Sequence, residues 1–241
     1  SSRKDVSAAW KNFRNSDDNM GITSAKTPTS EATTYEKWFK KLGSGWGAAP
    51  SVQIIVDNSL IVMSANHIYK LDLNTGDILQ TGDMVAATNF GYTPPTYADG
   101  MIFAPLADGR VQAFNAETLE SLWVYQDTLK GQSLSPITYS DGYIYTGFWN
   151  AETKDANYVC IPVTDEDPTN AQEAKEAAWQ YTSLGGFYWA GSVVRGDYVV
   201  FGTDDGTSGS DGTGHVLSLN KKTGEVMDSV DVIGDQRSTI A

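Results

Sequence analysis

Cysteine is almost missing from this chain: Cys160 is the only one, which excludes an intrachain disulfide. Histidine is scarce too, with only His67 and His215. One cysteine and two histidines cannot assemble a zinc site of the familiar spacings, so no metal centre is expected from them. Basic residues are in deficit, 17 against 30 acidic ones, for a formal net charge of −13. A surface of that sign repels phosphate backbones and anionic lipid, which argues against a nucleic-acid or membrane-surface partner. No apolar run approaches the roughly 18 residues needed to span a bilayer, so no transmembrane segment is expected. The chain opens at Ser1 without a charged-then-apolar leader and reads as a mature or trimmed chain. Phosphate loops of the Gly-Lys-Ser/Thr type and nucleophile elbows are absent as well.

What the chain does have is repetition. Turn pairs fall at Asp57-Asn58, Asp99-Gly100 and Asp141-Gly142, at a spacing of 42 residues (99 − 57 and 141 − 99). Arg195-Gly196 is read as a fourth copy, displaced by an insertion of about a dozen residues, and a period near 40–45 is that of four-stranded propeller blades. A short apolar run precedes each turn, and two more follow it, as in "LIVMS" then "IYKLDL" or "YVVFGT" then "VLSLN". Val, Ile, Tyr and Phe dominate these runs and favour strands. Tight turns at Asn74-Thr75-Gly76 and Lys222-Thr223-Gly224 lead into fourth strands near Leu79, Trp123, Trp179 and Met227. Such units bury their faces only by stacking on one another.

The expected fold is therefore all-β: a β-propeller of four-stranded antiparallel blades, about four of them, with partial strands at both ends, as part of a larger propeller. The expected organisation is an extended leader over 1–33 and a propeller over 34–241. Its blades are placed at 50–84, 93–127, 134–183 and 190–231, with orphan strands at 34–41 and 237–241. Within the third blade, Asp167 before Pro168 reads as the start of a capped short helix in the insertion Thr164–Trp179.

"FNAETLESLW" at Phe114–Trp123 and "LNKKTGEVM" at Leu219–Met227 resemble the blade motif of quinoprotein-like (PQQ-repeat) propellers, Asp/Asn-x-x-Thr-Gly-x-x-Trp. The leader "AWKNFRNSDDNMGITSAKTP" at Ala9–Pro28 is similar to the entry segment of secreted bacterial members. The resemblance implies a non-catalytic, secreted or cell-surface bacterial protein, since the family's quinone enzymes pair adjacent cysteines and Cys160 stands alone. No catalytic residue is carried over and no cofactor is expected.

Loops that carry each fourth strand to the next blade gather at the channel mouth. They would place Trp46, Phe90, Tyr92, Gln132, Phe187, Tyr188, Trp189 and Arg237 there as ligand contacts, because aromatics beside amides suit sugar rings or a partner's apolar side chains. Interblade wedging is the competing role for these aromatics. His67, Arg110, Asn157 and His215 share one phase and are read as an outer polar ring or as solvated turn residues. Asp204, Asp205 and Asp211 form an acidic glycine loop, with calcium ligation as one reading and plain flexibility as the other. The function expected from sequence is a non-enzymatic extracellular or cell-envelope binding scaffold for a protein or glycan. The alternatives are an envelope enzyme, quinone-dependent or carbohydrate-active, and a purely structural spacer.

Overall fold

Asp, Asn and Gly at the repeat turns reverse the chain with positive φ, the conformation that two-residue hairpins require. Asp57 (46°) and Asn58 (58°), Asp99 (52°) and Gly100 (71°), and Asp141 (48°) and Gly142 (83°) each join a first strand to a second. In the fourth copy Arg195 pairs with Tyr198, so the turn residues are Gly196 and Asp197, one position later than the sequence pattern places them.

The computed structural model describes residue 3, residues 5–88 and residues 93–241. Its first blade is β1 (Ile54–Val56), β2 (Ser59–Ser64), β3 (His67–Asp72) and β4 (Ile78–Asp83). The second holds β5 (Thr96–Ala98), β6 (Met101–Leu106), β7 (Arg110–Asn115) and β8 (Ser121–Gln126). The third begins with β9 (Thr138–Ser140), β10 (Tyr143–Gly147) and β11 (Asp155–Pro162). After β12 (Glu173–Lys175), the third blade closes with β13 (Trp179–Leu184). The fourth is β14 (Val193–Arg195), β15 (Tyr198–Gly202), β16 (Thr213–Asn220) and β17 (Val226–Ile233). Every blade is an antiparallel meander, and three apolar clusters fill the spaces between successive blades. The fold is a partial β-propeller.

The Asp/Asn-x-x-Thr-Gly motif has a physical cause. Asp72, Asn115 and Asn220 accept hydrogen bonds from the amides two and three residues on, at 2.7–3.2 Å, which closes the turn. The glycine provides positive φ, 74° at Gly76 and 73° at Gly224. It also leaves room for a tryptophan from the preceding blade, since a Cβ on Gly224 would lie 2.7 Å from Trp179. Gly224→Ala should therefore lower stability by about 1–3 kcal/mol, measurable as a lower urea midpoint.

Each turn is also latched from the blade before it. The carbonyl after the Asp/Asn position, or after Pro162 in the third blade, accepts a side-chain donor from it: Trp38 Nε1 to Leu73 O at 3.0 Å, Lys70 Nζ to Ala116 O at 3.2 Å, Trp123 Nε1 to Val163 O at 3.0 Å and Trp179 Nε1 to Lys221 O at 2.8 Å. Residues 34–41 form no strand, yet Trp38 takes the place of a fourth-strand tryptophan. Residues 237–241 form no strand either.

Two long-range features escaped the sequence pattern. The leader crosses the inner strands: Trp10 bridges Ile55 of β1, Lys11 O accepts Tyr97 N of β5, and buried Asn19 donates to Ser192 O and Ile240 O beside β14. The insertion of the third blade is not a capped helix. It extends to the second blade and adds β12 as a parallel fifth strand on β8, in the order β12-β8-β7-β6-β5. There Ser121 Oγ donates to Ala171 O at 2.6 Å, while Lys175, nearly buried, lies 3.5 Å from Glu173 and 6.0 Å from the Trp123 ring centroid. Asp167 instead closes a turn, accepting the Thr169 amide at 3.2 Å and hydroxyl at 2.6 Å, and the segment beyond it pairs with β8.

Candidate functional site

The second and third strands of the last two blades end alike: Phe148 N donates to Asn157 O, and Thr203 N donates to His215 O, each at 2.9 Å. Trp149 and Asp204 therefore occupy the same repeat position, at the start of the loops beyond. Those loops meet the segments that leave β13 and β17. Trp149 packs on Tyr188 with centroids 4.8 Å apart, Tyr188 on Trp189 at 4.2 Å, and the Arg237 guanidinium lies 4.8 Å from the Tyr188 ring centroid. A cation over an aromatic face is held by the ring's quadrupole.

Arg237 is itself fixed from below. Its Nε donates to Asp204 at 3.1 Å, and its Nη2 lies 2.6 Å from both Asp204 and Glu152 and 3.2 Å from Asp235. The Asp204 side chain has no exposed surface. Burial pushes its carboxyl up to about 6, against the opposing pull of Arg237. The hydrogen bond to Asp204 in turn raises Arg237 above its already high range. The result is an aromatic platform clamped by a charged cluster, with Trp189 still 42% exposed.

Two cavities flank this platform. One, of about 530 Å³, is lined by Phe13, Arg14, Leu134, Pro136, Trp189 and Arg237, so the leader contributes to its wall. The other, of about 350 Å³, is lined by Trp46, Ala87, Asp108, Lys130 and Gln132. Gln132 forms a backbone bridge with Trp149 and connects the two regions. Gln132 Oε1 and Trp149 Nε1 are both buried without a hydrogen-bond partner. Unmet polar atoms of this kind are costly in a closed interior and are suited to a ligand.

Of the residues assigned to the mouth, Tyr188, Trp189 and Arg237 come together, and Trp46 with Gln132 forms the neighbouring cavity. Trp46 is 76% exposed, so it is no interblade wedge. Phe90 and Tyr92 lie outside the described residues. Phe187 is corrected: it is fully buried between the third and fourth blades, stacked edge-on against Tyr158 and Phe201. In the run Phe187-Tyr188-Trp189 only the last two reach the mouth.

His67, Arg110, Asn157 and His215 do not form a ring. Each interacts across its own blade with the fourth strand: His67 lies 3.0 Å from Asp83, out of hydrogen-bonding line, and Arg110 donates to Gln126 at 2.9 Å. Asn157 accepts from Thr182 at 2.6 Å, and His215 meets Asp231 at 2.9 Å. Asn157 also donates to buried Asp127, which accepts from Tyr125 as well.

The acidic glycine loop is braced by its own donors. Asp205 accepts the amides of Thr207 and Gly212, and Asp211 accepts the Thr207 hydroxyl. Burial pushes the Asp205 carboxyl upward, but the Thr207 and Gly212 amides outweigh it and hold the group below its usual range. Asp204 faces away from this pair, toward Arg237. Among the described residues, carboxylates gather within reach of one cation only at Glu152, Asp204 and Asp235. Arg237 Nη2 already sits among them and supplies the cluster's cation. Cys160 is buried with its thiol pushed up to about 12 by that burial, and is no nucleophile.

Sequence reasoning missed Trp149, Glu152, Asp235 and the leader pair Phe13-Arg14. The shared repeat position of Trp149 and Asp204 was a usable signal for the first of these.

The blades, their latched Asp/Asn turns and the clustered mouth loops define a PQQ-repeat β-propeller. Residues 29–152, just over half of the chain, match the family model described as outer membrane protein assembly factor BamB. The chain belongs to that family. Among solved structures it is similar to the quinohemoprotein alcohol dehydrogenase ADHIIG from Pseudomonas putida HK5, at 14% identity and a TM-score of 0.64, over 92% of this chain and 40% of that one. It is also similar to BamB from Moraxella catarrhalis, at 17% identity and a TM-score of 0.52, over 76% of this chain and 51% of that one. The quinohemoprotein alcohol dehydrogenase from Comamonas testosteroni gives 16% identity and a TM-score of 0.59, over 76% and 36%. The chain thus spans about half or less of the length of these proteins. At such identities they bear on the fold alone. No curated protein matches the sequence.

Proposed function

We propose that this chain is a non-enzymatic binding module of the cell envelope or cell exterior, which seats an apolar or aromatic side chain of a protein partner at its mouth. The observation that carries the reading is the Trp149–Tyr188–Trp189 stack. It is clamped by Arg237 and leaves Trp189 open beside a cavity of about 530 Å³. Rigid aromatics that are already ordered lose little entropy on binding and are enriched among residues that dominate interface energies. The family description as an assembly factor and the similarity to a BamB structure favour a protein over a glycan.

The alternatives are separable. Intrinsic tryptophan fluorescence should stay unchanged during titration with soluble cell-wall glycans in one arm and with quinone plus calcium in the other. Saturable quenching by a glycan, lost in Trp189→Ala, would make the mouth a sugar site. Saturation by quinone and calcium would make the chain part of an enzyme and overturn the reading.

A further inference from the structure

The outer edge of the second blade is covered from within the molecule, because β12 seats on β8 as a fifth strand. At the equivalent edge of the fourth blade, β17 carries no such strand among the described residues. β17 is also the longest of the four outer strands, with eight residues against six in β4, β8 and β13. Seven of its eight residues are exposed, including Val226, Met227, Val230 and Ile233, the last at 94%. Exposed, apolar edges invite pairing, and proteins usually blunt them with lysine, proline or a covering segment. β17 has no lysine, proline or covering strand, and its only devices of this kind are a bulge at Met227 and the aspartates Asp228 and Asp231.

From these features we infer that the β17 edge is a docking site for an extended segment of another polypeptide, one that mixes aliphatic with basic side chains. The segment would add a fifth strand as β12 does on β8. Register shows why both chemistries are needed. Asp228 and Val230 pair with Ser218 and Val216 and share one face, while Asp231 and Ile233 pair with His215 and Thr213 and share the other. Each face thus presents one acid beside aliphatic side chains. Asp231 also accepts from His215 at 2.9 Å, which fixes its position without removing its exposure. The run from Glu225 to Ile233 contains three acids and no base, so an incoming strand gains most from lysine or arginine opposite Asp228 and Asp231. A second copy of this chain would bring no base opposite these acids, since its own β17 has none.

The site is independent of the mouth, so the test uses Trp189→Ala as a variant that should bind normally. A short fluorescently labelled peptide, with lysines three apart among valines and threonines, is titrated by anisotropy against a counterpart carrying glutamates. The lysine peptide should saturate, and the glutamate peptide should bind about ten-fold more weakly or worse. Ser229→Pro, which removes an outward-facing amide bonded only to the Asp228 carboxylate, should weaken the lysine peptide by about ten-fold. The paired exposed changes Asp228→Lys and Asp231→Lys leave the backbone intact and should reverse the preference. Equal binding of both peptides, absence of saturation, or an unreversed preference would overturn the assignment. So would a dimer in sedimentation that Ser229→Pro dissociates, since the occupant would then be a second copy.

Discussion

Arg237→Ala should destabilise the protein by about 3–5 kcal/mol at neutral pH, because it leaves a fully buried carboxylate beside two others with no cation. The loss should shrink on acidification as the cluster takes up protons. Asp204 sets the sign. Its folded-state carboxyl is pushed up to about 6, above the value near 3.9 of an unfolded Asp. Between those values the folded chain holds a proton that the unfolded chain has released, so stability falls as pH rises from about 4 to 6 and is level above. Asp204→Asn removes this dependence. Urea melts of the two proteins from pH 4 to 7 should diverge by about 2–3 kcal/mol, with the native chain losing ground as pH rises. Parallel profiles would show that Asp204 is ionised throughout.

Trp123→Ala should cost about 3–5 kcal/mol, the range for deleting a fully buried aromatic. It removes an indole packed near Phe103 and under Lys175, and it leaves the Val163 carbonyl without its donor. Trp123→Phe keeps most of the packing and should lose about 1 kcal/mol with the hydrogen bond. Lys70→Met, at the equivalent but part-exposed latch, should cost less than either, about 0.5–1 kcal/mol. Denaturant midpoints in that order would establish the latch as a shared device. Equal losses for Trp123→Phe and Lys70→Met would assign the hydrogen bonds the whole effect.

The blades were legible because their signals are local. Turn residues at a 42-residue spacing and alternating apolar runs needed nothing beyond a few neighbouring positions. The segment 34–41, expected as an orphan strand, forms none, yet its Trp38 takes the fourth-strand place. The rest depends on distance in sequence. The leader meets the inner strands through backbone atoms, which leave no mark on residue type. β12 is three residues long, and its partner β8 lies some fifty residues earlier. Glu152 and Asp204 converge on Arg237 across 85 and 33 positions. Loops lack periodicity, so nothing in Phe187-Tyr188-Trp189 said that the first ring turns inward. The displaced turn at Gly196-Asp197 has a simpler cause: Arg195 still fits as the last strand residue, and the glycine takes the positive φ.

The mouth is best tested by site-specific photo-crosslinking in native cells. A photoreactive phenylalanine at Ser238, an exposed wall residue of the Trp189 cavity, would report contacts there. The same group at exposed Glu176, in the insertion of the third blade, serves as the control. The account predicts a discrete crosslinked protein from position 238 that disappears in Trp189→Ala and is absent from position 176. Identical products from both positions, or a crosslink at 238 indifferent to Trp189, would contradict it.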